Sequence, residues 1–187
     1  MSKFEYLSVL VSIVIGLGIS HLLSSAARLI QLRHRARLYL PTFLLMVVLF
    51  LANVQIWWVA FERRETGEWN FFLFLLYLLI PITAVVLSYL VVPDLEGESG
   101  VDLKASYYEN RTWFFLLLAL LPAVSMVEEA VRDGGLGWEA DTVFRMVFLA
   151  AALVAALVRS ERYHVLNSVF MLGFFCAYVT VLFLRLV

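Results

Sequence analysis

Six stretches of this chain are apolar for about as long as a helix needs to cross the hydrocarbon of a bilayer, and no other feature constrains the fold as strongly. They run Phe4–Ile30, Pro41–Phe61, Trp69–Val92, Thr112–Val131, Thr142–Val158 and Tyr163–Leu184. A helical span takes about 20 residues, within a range of roughly 17–25. In lipid a helix satisfies its own backbone N–H and C=O groups. Composition agrees: of 187 residues, 63% are hydrophobic and 16% charged. A soluble domain is usually about half apolar and about a quarter charged. Lipid must cover the excess, and the expectation is an all-α, polytopic transmembrane bundle of about six spans forming one domain over 1–187.

The punctuation fits these limits. Pro41 suits the first turn of the second helix, where its missing N–H does no harm, and Pro93 ends the third. Pro81 and Pro122 fall inside spans, where each should kink its helix unless the freed carbonyl finds another donor. Ser99 and Asp102 have capping-box spacing, so the fourth helix is expected to begin well before the membrane. Trp57, Trp58, Trp69, Trp113 and Trp138 lie near span ends, where interfacial aromatics gather. The first stretch is longer than a signal-peptide core, and Glu5 weakens the basic flank such a peptide carries, so it reads as a retained span.

Orientation rests on basic residues. The connections on the side of the first loop carry Arg28, Arg33, Arg35, Arg37, Lys104, Arg111, Arg159 and Arg162. The opposite side carries Lys3, Arg63, Arg64, Arg132, Arg145 and Arg185. The cluster after the first helix places that loop in the cytoplasm and both termini outside. Asn110-Arg111-Thr112 matches a glycosylation sequon but falls on the cytoplasmic side.

Several function classes are excluded or weakened. A net charge of −1 leaves no broad basic surface for nucleic acid. Cys176 is the single cysteine, so no internal disulfide or CxxC pair exists, and in its apolar run it reads as a packing residue. Lys3 and Lys104 both lie outside the spans, which disfavours a retinal Schiff base. No carboxylate falls in the middle third of a span, where ion-coupled transporters commonly hold one. No HExxH, GxSxG or Walker motif occurs. His21, His34 and His164 lack zinc-site spacing. Haem ligation by His21 and His164 would have to bridge a depth difference of roughly 7 Å on straight helices.

Three groups of polar residues are candidates for function. Ser8, Ser12, Gly16, Ser20 and Ser24 recur every four residues on the first helix. Small residues at this spacing let helices approach closely in lipid. The stripe reads first as a face for a homo-oligomer or a membrane-complex partner, with Ala150–Ala156 of the fifth helix a possible facing surface, and second as a pore lining. His21, Ser25 and Arg28 share a face, and Asn167 and Ser168 on the sixth helix and Ser88 on the third reach comparable depths, with His164 nearer the cytosol. Together they would line a polar pocket open to the cytoplasm, or else form packing bonds such as His21 to Asn167. Asn53 and Gln55 lie slightly beyond the midpoint of the second helix and point to opposite faces. Glu128, Glu129, Arg132 and Arg145 gather at the outer ends of the fourth and fifth helices. They would form either a solvated interfacial cluster or a cation-attracting vestibule, with a glutamate–Arg145 pair fixing the hairpin.

The opening Phe4-Glu-Tyr-Leu-Ser-Val-Leu, with Gly16-Leu-Gly-Ile-Ser-His-Leu-Leu23, resembles the start of a group of small bacterial multi-pass inner-membrane proteins. Trp57-Trp58 and the acidic loop ending in Tyr107-Tyr108 fit the same likeness. The resemblance implies a bacterial inner membrane and brings no activity with it. Three classes stay open on the residues: a channel, permease or ligand-binding membrane module; a structural or assembly subunit; and a membrane enzyme or electron carrier, with haem b the cofactor of the last.

Overall fold

A computed structural model describes residues 3–62, 70–93 and 101–182. Six helices account for nearly all of them: α1 (Lys3–Gln31), α2 (Leu40–Glu62), α3 (Phe71–Leu90), α4 (Leu103–Asp133), α5 (Ala140–Leu157) and α6 (Glu161–Leu182). Each is long and apolar enough to cross a membrane. The protein is therefore an all-α bundle of six candidate spans that meets a lipid bilayer. Trp69 and Ser99 lie outside the described residues.

The helix limits follow from local chemistry. Asp102 caps α4, its carboxylate accepting from the backbone N–H of Lys104 at 2.9 Å and of Ala105 at 3.0 Å. That is why α4 starts at Leu103, about five turns before its Pro122. Asn70 caps α3 by accepting from the N–H of Leu73. Gly134, with φ of 75°, closes α4 in a left-handed conformation that a side chain would oppose. Thr142 then donates to the Gly137 carbonyl and tightens the turn into α5. Both α3 and α4 run through their internal prolines without a break.

The helices pack in a definite order. α2, α3, α4, α5 and α6 each touch the next, and α6 returns to α2, closing a five-helix ring. α1 lies against α2 and α3 on the outside of that ring. The closest partnership is α4 with α5, where Ala152, Ala155 and Ala156 are buried beside Phe115, Leu118 and Ala119. Lipid tails are as apolar as leucine, so contact area and close approach hold such helices together rather than escape from water. The alanine face expected to meet the small-residue stripe of α1 thus meets α4 instead.

The stripe itself points outward. Ser12, Gly16, Ser20 and Ser24 are exposed, while Val11, Ile15, Leu22, Ser25 and Leu29 turn inward. The glycine used for close approach is Gly18. A Cβ built there would sit 3.1 Å from Asn53 Oδ1 and 3.4 Å from Ser88 Oγ, whereas one at Gly16 would meet nothing.

The three connections at the end bearing the α1–α2 loop are tied together. Arg37 N–H donates to the Val101 carbonyl and Leu103 N–H to the Arg37 carbonyl, an isolated parallel bridge. The guanidinium of Arg37 also reaches the Asp102 carboxylate at 3.2 Å. Backbone donation from Ala105, and then Arg37, hold the Asp102 carboxyl below its ordinary value. Lys104 pairs with Glu161 across to α6 at 2.7 Å.

Candidate functional site

The seven residues expected to share a pocket at the loop end are divided between two places. His21 and Ser25 sit on α1, their side chains 3.4 Å apart, and the imidazole stacks on Tyr89 of α3 with centroids 3.8 Å apart. Arg28 is exposed further along α1. Ser88 donates to its own helix at Ala84 O. His164, Asn167 and Ser168 belong to α6, on the far side of the ring. Asn167 donates to Met171 Sδ at 3.6 Å and Ser168 to Val165 O, so Asn167 bonds within its own helix rather than to His21.

His164 has a structural task that the sequence did not reveal. The last carbonyls of a helix lack intrahelical donors. Val158 O, at the end of α5, receives two: the Arg111 guanidinium of α4 and His164 Nε2 at 2.9 Å. A carbonyl only accepts, so Nε2 carries the proton and Nδ1 takes the Tyr107 hydroxyl at 2.9 Å. Tyr108, Phe115 and Tyr163 complete an aromatic collar with centroids about 5.5 Å from the ring. Tyr39 joins the collar through Tyr108, and burial pushes its phenol above the ordinary range. An iron bound by His164 would have to displace one of these two hydrogen bonds. Beside Arg111 lies a void of about 10 Å³, near the lower limit for one water.

The central cavity is elsewhere, inside the five-helix ring and toward its other end. All five ring helices line it: Ala52 and Gln55 from α2, Ile80 from α3 and Pro122 from α4 among them. Phe144 and Phe148 of α5 face Phe174 and Phe175 of α6. Its volume is about 110 Å³. The walls are mostly apolar, with the polar groups being Gln55, Ser125, Arg145 and Tyr178. Of the residues singled out in the sequence, Gln55 and Arg145 line it; none of the seven from the expected pocket does.

Arg145 organises the polar end. Its guanidinium donates to Glu129 of α4, to Asp141 one turn earlier on α5, and to Ser125 Oγ at 3.2 Å. Tyr178 of α6 donates to the other oxygen of Asp141 at 2.8 Å. Thus α4, α5 and α6 are joined at one point, and the expected glutamate–Arg145 pair is present. The solvated cluster is not. Arg145 is 8% exposed and Glu128 is fully buried, because the close α4–α5 contact folds these side chains inward. Arg132 reaches Glu128 at 3.4 Å and Asp133 at 2.8 Å. Arg145 Nε is buried and has no hydrogen-bond partner among the described residues. Two carboxylates already neutralise this guanidinium, so an incoming anion would gain little there. A neutral acceptor would satisfy the remaining N–H.

Asn53 departs from Gln55 as their spacing predicts. It is fully buried between α1, α2 and α3, donates to Leu49 O at 2.8 Å, and keeps Oδ1 without a partner. Cys176, expected to be packed, is exposed on the outer face of α6. Among the described residues no group of three or more His, Cys, Asp or Glu is placed to hold a metal.

The fold and cavity define a class: a small six-span membrane bundle with an internal, largely apolar chamber. No protein-family model, curated protein or solved structure matches the chain.

Proposed function

We propose that this protein is a ligand-binding membrane module whose site is the chamber inside the α2–α6 ring. The ligand is a small neutral molecule with an apolar body and one hydrogen-bond acceptor, such as a carbonyl. The observation that carries this reading is the largely apolar cavity walled by all five ring helices, beside whose polar end the Arg145 Nε–H is a covered donor without a partner that a small side-chain shift would open to a ligand. An unmet buried donor costs about 1–3 kcal/mol, and an acceptor on the ligand removes that penalty. Aromatic walls and a few placed polar groups are the usual make-up of such a site. The resemblance of the first helix supports a bacterial inner membrane, with the α1–α2 loop cytoplasmic. The chamber then sits nearer the outer face, not on the cytoplasmic side. Transport of the ligand is the extension of this reading.

The test uses the protein in lipid nanodiscs, photolabelled with 3-trifluoromethyl-3-phenyldiazirine and mapped by mass spectrometry. Labels are expected on Phe144, Phe148 and Phe174, with acetophenone protecting these sites more strongly than ethylbenzene of similar shape. Labels confined to lipid-facing residues, or equal protection by the two compounds, would overturn the reading.

A second reading, assembly with other helices, is favoured by the outward Ser12, Gly16, Ser20 and Ser24 face. It predicts that Ser20→Leu abolishes a complex and leaves the chamber labelling intact.

A further inference from the structure

We propose that the chamber is loaded from within the bilayer, through the groove between α2 and α6. This rests on the reading of the chamber as a ligand site. The groove is lined by Leu51, Val54, Gln55 and Trp58 of α2 and by Cys176, Val179 and Thr180 of α6, with a volume of about 250 Å³. Val54, Cys176 and Thr180 are exposed at membrane depth, so the groove opens to lipid. Gln55 also lines the chamber. One side chain is therefore the common wall of the two spaces, and a rotamer change there, cheap for an unbranched amide, connects them.

The polar groups on this route match the ligand proposed for the chamber. Trp58 Nε1 has no hydrogen-bond partner among the described residues and is covered by its neighbours, so a shift of the side chain uncovers it to a molecule in the groove. An indole N–H only donates, so it calls for an acceptor. Trp58 lies about 10 Å from the middle of α2, and Gln55 about 6 Å. The first depth is close to the membrane interface and the second well inside the hydrocarbon. A carbonyl-bearing apolar molecule dissolved in the bilayer would pass from the Trp58 N–H to the Gln55 amide and then to the Arg145 Nε–H. Each donor offers the same chemistry, Trp58 nearer the interface and Gln55 and Arg145 further in. A water-soluble anion or cation would find no charged group to attract it in the groove, whose lining side chains are all neutral.

Two ways of filling the groove test this. Val54→Trp adds bulk at a lipid-facing position. Alternatively, N-(1-pyrenyl)maleimide modifies Cys176, the single cysteine, with Cys176→Ser treated identically as the control. The readout is diazirine labelling of Phe148 and Phe174 when photolysis follows mixing with nanodiscs by a short delay. Blocking is expected to lower this early labelling about ten-fold, equivalent to ~1.4 kcal/mol on the access barrier. Labelling of lipid-facing Phe72 should be unchanged, and Phe148 labelling should recover at long delay. Trp58→Phe should slow protection by acetophenone and leave that by ethylbenzene unaltered. Early labelling that persists in both blocked forms overturns the lateral route and leaves the chamber reading standing. Absence of chamber labelling in the unblocked protein overturns both.

Discussion

Buried polar side chains in this protein fall into two kinds, and the difference is one of bonding partners. Thr83, Ser88, Asn53 and Ser168 donate to carbonyls three or four residues back in their own helices. Such a bond lets a polar residue enter lipid without help from a neighbour. Arg145 is the opposite case, holding carboxylates from two helices and a serine. Arg145→Met should therefore destabilise the bundle by about 2–3 kcal/mol, since Glu129 and Asp141, both only part-buried, would lose their counter-charge. Unfolding in mild detergent measures this, and partial rescue by Glu129→Gln in the same chain is the expected signature of an unpaired carboxylate. A loss below about 1 kcal/mol, typical of solvated pairs, would contradict the buried network.

Elements show what hydropathy can and cannot convey. The apolar runs placed all six helices within a few residues, because span length is dictated by bilayer thickness. α4 is the one large departure: the run begins at Thr112, while Asp102 and its capping bonds carry the helix nine residues further back. The capping spacing made that extension legible. Which face of a span turns inward was not legible, because in lipid both faces are apolar and periodicity loses its meaning. The Ser8–Ser24 stripe has the regularity of an interface and is exposed at four of its five positions, whereas Gly18 makes the contact. Gly18→Leu should thus separate α1 from Asn53 and Ser88 and lower the melting temperature. Gly16→Leu, with open space around its Cβ, should leave it unchanged. Equal effects of the two substitutions, read by thermal unfolding in detergent, would reverse the assignment of the packed face.

At the level of the whole molecule, the candidate pocket moved because helix adjacency decides which polar groups can meet. His21 and His164 both lie toward the end bearing the α1–α2 loop, yet α1 lies outside the ring and α6 belongs to it. Arg145 and Gln55 stood out in the sequence as separate oddities, and only the ring brings them to one chamber. An even number of crossings also fixes a relation independent of orientation. Residues 32–39, 91–93, 101–102 and 158–160 must share one side of the membrane, and 134–139 the other. Cysteine-accessibility scanning in a Cys176→Ser background should report this alternation, and a reagent reaching 32–39 and 134–139 from the same side would break the six-span arrangement.

The closing contact between α6 and α2 joins segments that three other helices separate in the sequence, which has a consequence for biosynthesis. The ribosome delivers α2 to α5 before α6 exists, so during insertion the ring is an open arc and acyl tails occupy the slot that α6 will fill. The chamber comes into being only when the sixth segment displaces those tails and docks beside Leu51 and Trp58.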